Sequence, residues 1–384
     1  TRTGVVQVVK NLSFSIRQGE TLGVVGESGC GKTVTALSIM KLLPKETLKI
    51  SSGNIIFNNK AINNLSDSEL EKISGNEISM IFQEPMTSLN PLFTVGEQVA
   101  EVVRRHKNVS KERAWKRAIE LLDLVKIANP DKKASDYPFQ LSGGQRQRVM
   151  IAVALACEPK ILIADEPTTA LDVTIQAEIL ALINRLKDET GTAVMFITHD
   201  MAVVAQMADR VIVLYPGEKV EEGTVHEIFN NPKHEYTKSL LAAVPKLGEM
   251  ASRKYPEPMR LMGKEDTQII KPIIGTDEPI LSVKKLVTRY SIRGGLFQRI
   301  KAKVHAVEDI SFTIMKGKTL SLVGESGCGK STVGRSLIRL VEPASGEVYL
   351  DGQNILDLTV KDVRDARSKI QMVFQDPFAS LNPQ

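Results

Sequence analysis

One eight-residue segment with three glycines and a lysine occurs twice in this chain of 384 residues. Glycines let the backbone curl so that successive N–H groups point inward, and such a concave loop binds phosphate oxygens. The lysine reaches the outer phosphates, and the final hydroxyl offers a ligand to Mg²⁺. The pattern therefore predicts two phosphate-binding loops, formed by Gly26, Glu27, Ser28, Gly29, Cys30, Gly31, Lys32 and Thr33 and by Gly324, Glu325, Ser326, Gly327, Cys328, Gly329, Lys330 and Ser331.

The sequence around each loop has the order strand, glycine loop, helix. Apolar runs typical of a strand precede the loops at Thr21–Val25 and Thr319–Val323, and runs typical of a helix follow at Val34–Leu43 and Thr332–Leu340. Pro44 and Pro343 are predicted to close the two helices at matching places. A chance match to the motif is the alternative, and the shared context argues against it.

Composition indicates a globular chain with 42% apolar and 25% charged residues. The formal net charge of +5, from 50 basic and 45 acidic residues, gives little reason to expect a nucleic-acid surface. No apolar run approaches the length of a membrane span. The three cysteines, Cys30, Cys157 and Cys328, are far apart, which indicates reduced thiols rather than a disulfide framework.

The similarity between the two halves extends beyond the loops. Asn11–Glu20 resembles Asp309–Lys318, and Ile81–Pro91 resembles Val373–Pro383. We therefore expect a first domain over 1–244, a proline-containing linker over 245–279, and the N-terminal part of a second copy over 280–384. The second copy is expected to be truncated, because a parallel-sheet domain that ended there would leave strand edges unpaired. The missing initial methionine likewise indicates a fragment or a processed form.

Alternating strands and helices predict an α/β fold with a layered sheet in the first copy. Residues 94–157 instead space their apolar side chains three and four apart, which predicts a helical subdomain. Trp115 lies in this stretch, where packing is the simpler interpretation and a stacking platform the alternative.

Three further patterns in the first copy suggest chemistry. Asp165 and Glu166 end a buried strand, an arrangement that suits Mg²⁺ handling and water activation, although a solvated loop pair would look the same. His199 lies two residues beyond the strand Ala193–Ile197, as either a phosphate contact or a surface residue. A third pattern fits either an anion site or a simple helix cap, and consists of Leu141, Ser142, Gly143, Gly144 and Gln145.

The loops, Gln83, the Leu-Ser-Gly-Gly-Gln segment, the acid pair, Ala170-Leu-Asp172 and His199, in this order, resemble the ATP-binding cassette of ABC transporters. The resemblance implies a P-loop NTPase fold with a mixed sheet, a helical subdomain, and ATP with Mg²⁺ as cofactors. Catalytic roles would fall to Glu166 as base, His199 as switch and Gln83 as γ-phosphate sensor. Mg²⁺ would be held by Thr33, Gln83 and Asp165 and, in the second copy, by Ser331 and Gln375, while Tyr290 is the candidate for stacking on adenine.

Residues 231–241, Asn-Pro-Lys-His-Glu-Tyr-Thr-Lys-Ser-Leu-Leu, resemble the C-terminal extension of peptide, dipeptide and nickel importer ATPases, here placed at about 226–244. This resemblance implies an ATPase that energises uptake of glutathione or other small peptides. Its partners would be two transmembrane permease subunits and an external solute-binding protein. The chain would then be peripheral on the cytoplasmic face of the bacterial inner membrane.

In this family each ATP lies between the phosphate loop of one cassette and the signature segment of the other. Ser142 and Gly144 would therefore contact the γ-phosphate held by the opposite cassette. We expect these 384 residues to complete neither composite site, and so to bind ATP but hydrolyse it poorly. The alternatives are a soluble tandem ATPase acting on ribosomes or DNA, and a nucleotide-binding scaffold without catalysis.

Overall fold

The structure is a computed structural model, and it describes residues 6–84, 88–168, 171, 173–244, 248, 278–294, 299–325 and 327–374. Two compact units are present, Thr1–Ile269 and Ile270–Gln384. The expected linker over 245–279 lies outside the described residues except at Gly248, Glu278 and Pro279.

A six-stranded sheet forms the centre of the first unit. Its strands are β1 (Thr21–Val25), β4 (Ile78–Ile81), β5 (Ile161–Asp165), β6 (Ala193–Ile197), β7 (Arg210–Tyr215) and β8 (Glu218–Thr224), and a small separate hairpin is formed by β2 (Ile56–Phe57) and β3 (Lys60–Ala61). The order across the sheet is β4-β5-β6-β1-β7-β8, and only β8 runs antiparallel to its neighbour. The carboxyl ends of the five parallel strands therefore meet at one edge, where ligands bind in such sheets.

The parallel strands are apolar throughout because both of their faces are covered. Leu162 in β5 and Phe196 in β6 belong to one core cluster, whereas their neighbours Ile163 and Met195 belong to another on the opposite face. This period of two is the normal alternation of a strand. The predicted strands Thr21–Val25 and Ala193–Ile197 are confirmed at both ends.

Two helices of the first unit precede β4, namely α1 (Lys32–Ile39) and α2 (Asp67–Ile73). The prediction that Pro44 closes α1 is wrong, since the helix ends at Ile39 with Met40 as its C-cap. Lys41 there takes a left-handed conformation with φ +55°, and the N–H of Leu42 donates back to the carbonyl of Leu37 at 2.8 Å. The helix is thus closed by backbone hydrogen bonds of the Schellman type before the proline is reached.

Residues 94–157 contain four α-helices and one short 3-10 helix (Pro138–Gln140). The α-helices are α3 (Val95–Lys107), α4 (Lys111–Leu124), α5 (Pro130–Lys133) and α6 (Gly143–Leu155). Thr94, Ser110 and Ser142 cap three of these helices through side-chain oxygens that accept backbone N–H groups. The apolar faces of α3, α4 and α6 pack together with one face of the sheet. Trp115 is partly buried against this core, which agrees with its interpretation as a packing residue.

The remaining helices of the first unit are α7 (Val173–Thr190), α8 (Met201–Met207), α9 (Val225–Asn230) and α10 (Glu235–Ala242). Side chains from α8, α9 and α10 form a separate core with the end of β1 and one face of β7. The segment that resembles the importer extension is therefore an integral part of the first unit. In the described residues, no helix is both long and apolar enough to span a bilayer.

The second unit is built on a long hairpin, β9 (Pro279–Gly294) and β10 (Arg299–Met315). Strands β11 (Ser345–Leu350) and β12 (Gln353–Asn354) extend it to a sheet of order β10-β9-β11-β12. Helices α11 (Lys330–Leu337) and α12 (Val360–Lys369) complete its described part. As in the first unit, α11 ends before the proline predicted to close it, Pro343, with Arg339 at φ +50°.

The predicted strand Thr319–Val323 is wrong, because these residues form no strand and are exposed. In the first unit the equivalent strand β1 is flanked by β6 and β7, which follow it by more than 170 residues. Among the described residues of the second unit, no strand pairs with residues 319–323. Val323 is 88% exposed, whereas Val25 is fully buried. The same apolar pattern forms a strand only where partners supply hydrogen bonds on both sides.

Candidate functional site

The first phosphate loop, residues 26–33, leaves the carboxyl end of β1 and enters α1. Gly26 has φ +151°, and a Cβ there would lie 2.7 Å from Sγ of Cys30 and closer still to the carbonyl oxygen of Leu214. Gly31, at φ +100°, is the N-cap of α1 and gives the helix no side-chain cap. The N–H groups of the first turn are thereby left for a ligand, which is the arrangement that binds phosphate.

Lys32 is buried, and its amine folds back over the loop. Its Nζ donates to the carbonyl oxygens of Gly26 at 2.7 Å and Glu27 at 2.8 Å. The second loop repeats this arrangement, since Nζ of Lys330 lies 2.6 Å from the carbonyl oxygens of both Gly324 and Glu325. The two copies of the motif thus place their lysine amines alike, although Lys330 is only half-buried.

Glu166 lies just beyond β5 and connects two other predicted residues. Gln83, which follows β4, donates from Nε2 to Oε2 of Glu166 at 3.0 Å. Nδ1 of His199, which follows β6, lies 3.1 Å from Oε1 of the same carboxylate. Glu166 takes a left-handed backbone conformation, φ +46°, and its N–H donates to the carbonyl oxygen of Ile197 at 2.9 Å. The three predicted catalytic residues therefore meet at the carboxyl edge of the sheet.

Asp165, the last residue of β5, is 1% exposed. Burial raises the pKa of this carboxyl group, the nearby Thr33 hydroxyl lowers it, and the charge of Glu166 raises it again. Among the described residues, Oδ1 of Asp165 has no hydrogen-bond partner. A buried carboxylate oxygen without a donor, beside a threonine hydroxyl, is a suitable pair of hard ligands for a divalent cation.

The predicted signature segment, 141–145, forms the start of α6. Oγ of Ser142 accepts the N–H of Gln145 at 3.3 Å, and Oε1 of Gln145 accepts the N–H of Ser142 at 3.1 Å. This reciprocal capping box realises the helix-cap interpretation of the pattern. Gly143 is exposed, and a Cβ added to it would meet no atom within 4 Å. Capping leaves the exposed glycine turn accessible, so the anion-site interpretation stays a prediction.

In the second unit the structure brings Tyr290 to the second loop. The hydroxyl of Tyr290, on β9, lies 3.4 Å from Oγ1 of Thr332, the residue that follows Ser331. Stacking on adenine stays a prediction. Ser326, Gln375 and, in the first unit, Ala170 and Asp172 lie outside the described residues.

Gln147 is a buried polar residue that the sequence patterns did not single out. It is 1% exposed on α6, and its Nε2 donates to the carbonyl oxygen of Pro167, the residue after Glu166. Gln147 therefore connects the helix that begins with the signature segment to the segment that carries the acid pair. A glutamine shortly before the apolar helical run Val149–Leu155 is the sequence signal that could have identified it.

Comparisons with known proteins identify the family. The sequence matches the ABC transporter family over residues 9–169 and 307–384. It also matches the oligopeptide/dipeptide transporter C-terminal region over residues 220–264.

Among curated proteins, the chain is 51% identical over 388 aligned positions to the glutathione import ATP-binding protein GsiA of Salmonella choleraesuis strain SC-B67. The alignment covers 98% of this chain and 62% of that protein. The chain thus spans less than two thirds of the length of the curated relatives it matches. The resemblance to this family that was inferred from the motifs is confirmed.

Solved structures agree with this result. The ATP-binding cassette MJ0796, in a dimeric post-hydrolysis state bound to ADP and Pi, is 36% identical, with a TM-score of 0.52 over 57% of this chain and 90% of that chain. CbiO1 from Clostridium perfringens, part of the ABC transporter complex cbiONQ, is 30% identical, with a TM-score of 0.50 over 58% of this chain and 84% of that one. The cassette fold predicted from the motifs is confirmed, and the chain belongs to the ABC transporter family.

Proposed function

We propose that this chain is the ATP-binding and ATP-hydrolysing part of an ABC importer that energises uptake of glutathione or other small peptides. The observation that carries the proposal is the carboxylate of Glu166, held between Gln83 and His199 beside the buried Asp165. A scaffold that only bound nucleotide would have no use for a positioned base.

The first phosphate loop supplies the binding half of this site. The N–H groups at the start of α1 would donate hydrogen bonds to the phosphate oxygens, and Lys32 would move its amine from two neutral carbonyl oxygens to the phosphate charge. Thr33 and Asp165 would hold Mg²⁺, with Gln83 as a further ligand, and the second copy would use Ser331 and Gln375. Bound Mg²⁺ would neutralise charge on the phosphate oxygens.

Hydrolysis requires that a water molecule attack the γ-phosphorus while it loses a proton. Glu166 would accept that proton through the carboxylate that Gln83 and His199 orient, and ADP would leave with the bridging oxygen. The hydrogen bonds from Gln83 and His199 fix the direction of the carboxylate before nucleotide arrives. Positioning of this kind lowers the barrier because the base needs no rearrangement during reaction.

The signature segment would complete a site on another cassette. Ser142, the exposed Gly143 and the half-buried Gly144 lie at the start of a 13-residue helix, α6, where N–H groups attract anions. We assign Ser142 and Gly144 to the γ-phosphate held by the opposite cassette. The dimeric state of MJ0796 supports this arrangement.

Permease subunits are the partners that fit an exposed apolar surface of the first unit. Leu92 and Phe93 are exposed there, and Tyr137 stacks on the exposed Phe139 with ring centroids 5.6 Å apart. The two segments are neighbours, because the N–H of Val95 donates to the carbonyl oxygen of Asp136 at 2.9 Å. Exposed apolar groups of this kind mark protein contact sites.

The relatives' names and the matched C-terminal region support the substrate class and the location. We assign the chain to the cytoplasmic face of a bacterial inner membrane, in a complex with two permeases and an external solute-binding protein. The match of the family to two stretches of the chain supports a tandem pair of cassettes, each with a phosphate loop.

Uptake of labelled glutathione and of labelled dipeptides, in cells that lack the gene, tests the proposal. The full-length wild-type protein is expected to restore uptake of one class, and Glu166→Gln is expected to abolish it. Glu189→Gln is a matched control, because that exposed glutamate makes only a 3.8 Å contact to Arg185 on α7. Full uptake with Glu166→Gln would contradict the role of the base.

The competing class of function is tested by partner capture. The intact protein, isolated from detergent extracts, is expected to carry permease subunits. Ribosomal proteins or DNA in place of permeases would overturn the importer proposal.

A further inference from the structure

Tyr236 connects the importer-type extension to the first phosphate loop. It lies on α10, is 1% exposed, and is the largest of the fully buried side chains described. Its hydroxyl oxygen accepts the backbone N–H of Glu27 at 2.9 Å. The two residues are 209 positions apart, so only the folded first unit brings them together.

Ring packing fixes the position of Tyr236 in addition to the hydrogen bond of its hydroxyl. The ring packs against Tyr215 at the end of β7, with ring centroids 4.4 Å apart and a tilt of 44°. Burial raises the pKa of Tyr236 to about 12, while the N–H of Glu27 acts in the opposite direction. The hydroxyl is therefore neutral at every physiological pH and keeps its acceptor lone pair for that N–H.

The residues before Tyr236 fix the start of its helix. Nδ1 of His234 accepts the N–H of Tyr236 at 3.2 Å and so caps α10. The carboxylate of Glu221, on β8, accepts the N–H groups of Lys233 at 2.8 Å and His234 at 3.0 Å. Three backbone groups of the Lys-His-Glu-Tyr segment are thus tied down, and the tyrosine is aimed by a rigid support.

Glu27 is held at both of its backbone groups. Its N–H donates to Tyr236, and its carbonyl oxygen accepts Nζ of Lys32 at 2.8 Å. The same loop is supported further along, where the N–H of Gly217 donates to the carbonyl oxygen of Cys30 at 3.1 Å. These contacts occupy the outer side of the loop and leave the N–H groups at the start of α1 for a ligand.

We propose that Tyr236 is a positioning residue of the first nucleotide site, which holds the loop at Glu27 in its phosphate-binding shape before nucleotide arrives. This proposal rests on the proposed function, since it assumes that the loop binds ATP. When the loop already has its bound shape, no part of the binding free energy is lost to ordering it. The extension that resembles those of peptide importers would then be required for tight nucleotide binding by the cassette.

Tyr236→Phe in the full-length protein tests this role, because it removes the hydroxyl and keeps the ring. A Lys330→Ala background restricts the measurement to the first loop, and a fluorescent ATP analogue with Mg²⁺ is the probe. Loss of one neutral hydrogen bond predicts a dissociation constant about three- to tenfold higher. In turnover, KM for ATP is expected to rise while kcat stays unchanged.

Tyr215→Phe is the matched control, since it removes a hydroxyl from the stacking partner and leaves the Tyr236–Glu27 hydrogen bond in place. Its nucleotide affinity is expected to equal that of the Lys330→Ala parent. A lower melting temperature for Tyr236→Phe with unchanged affinity would overturn the positioning role and leave Tyr236 as a packing residue. A folded Lys330→Ala parent that binds no nucleotide would instead overturn the proposed function itself.

Discussion

Arg210 provides the sharpest test of how the central sheet is held together. Its guanidinium donates from Nε to Oε1 of Glu20 at 2.8 Å, and it also contacts Oε1 of Glu222 and the carbonyl oxygen of Ser15. Glu20 immediately precedes β1, so this group of charges lies at the end of the sheet opposite the phosphate loop. Replacing Arg210 with Met keeps the apolar stem and removes only the charge and its donors.

The cost of Arg210→Met follows from what the substitution leaves behind. The side chains of Arg210 and Glu20 are 16% and 9% exposed, whereas that of Glu222 is 26% exposed and can turn to water. Breaking a buried pair costs about 3–5 kcal/mol. With a discount for this partial exposure, we expect the free energy of unfolding to fall by about 2–3 kcal/mol at pH 7.

The effect depends on pH. Burial raises the pKa of Glu20, but the hydrogen bond from Arg210 and the other basic contacts outweigh it and leave the pKa below 4.5. Without Arg210, burial dominates and the pKa of Glu20 rises. The variant then binds a proton in its folded state as the pH falls from 7 towards 4.5. This binding stabilises the folded variant, so the difference in the free energy of unfolding between variant and wild type should narrow. Below 4.5 the wild type loses its own stabilisation as Glu20 protonates, and the difference narrows further.

Trp115 makes the assay specific, since it is the one tryptophan of the sequence and packs in the first unit. Its fluorescence during urea unfolding reports the free energy of unfolding of that unit at pH 7 and at pH 5. Arg105→Met, which breaks the exposed pair of Arg105 and Glu71 in the same unit, is the control and should change little. A loss for Arg210→Met that is equally large at both pH values would refute the assignment to an unpaired Glu20.

Two further predictions concern the site. Gly26→Ala is expected to weaken nucleotide binding at least about tenfold, since its methyl group would lie against Sγ of Cys30 and the carbonyl of Leu214. Gly29→Ala meets no atom within 4 Å and should lose less in the same titration, so equal losses would count against the steric argument. Gln147→Leu removes the hydrogen bond to the carbonyl of Pro167 and is expected to lower kcat for ATP hydrolysis about three- to tenfold with KM unchanged. A change in KM alone would show that Gln147 does not act through the segment that carries the base.

Local sequence patterns predict a strand or helix correctly where its formation depends mainly on its own residues. Both ends of the strands Thr21–Val25 and Ala193–Ile197 agree with the prediction, because a short apolar run followed by a loop motif usually forms a buried strand. The run Thr319–Val323 has the same character and forms no strand. The difference lies in partners far along the chain, and no local pattern contains that information.

The helix ends show the same limit. The sequence predicts that prolines close these helices, but α1 and α11 end earlier, where Lys41 and Arg339 take left-handed conformations that favour glycine. Neither a lysine nor an arginine in the sequence indicates such a turn.

Within the site, Gln83, Glu166 and His199 were predicted from motif order, and the structure brings their side chains together. The contacts that hold the site could not be predicted. The hydrogen bond between Tyr236 and Glu27 joins a helix to a loop that is 209 positions away in sequence. The hydrogen bond between Gln147 and Pro167 depends on how α6 packs. Such contacts depend on tertiary packing, which a motif does not encode.

The position of β1 in the sheet has a consequence for the order of folding during synthesis. β1 and its phosphate loop are made early, at residues 21–33, but β1 pairs only with β6 and β7, and the loop's outer support ends at Tyr236. Pairing of strands so distant in sequence is slow, because a long loop must close first. The nucleotide site therefore cannot form until about two hundred further residues have left the ribosome, and until then the apolar β1 is an unpaired strand that other chains can bind. ATP that binds only the completed loop would favour this last step of folding, so the ligand would act on the maturation of the protein as well as on its activity.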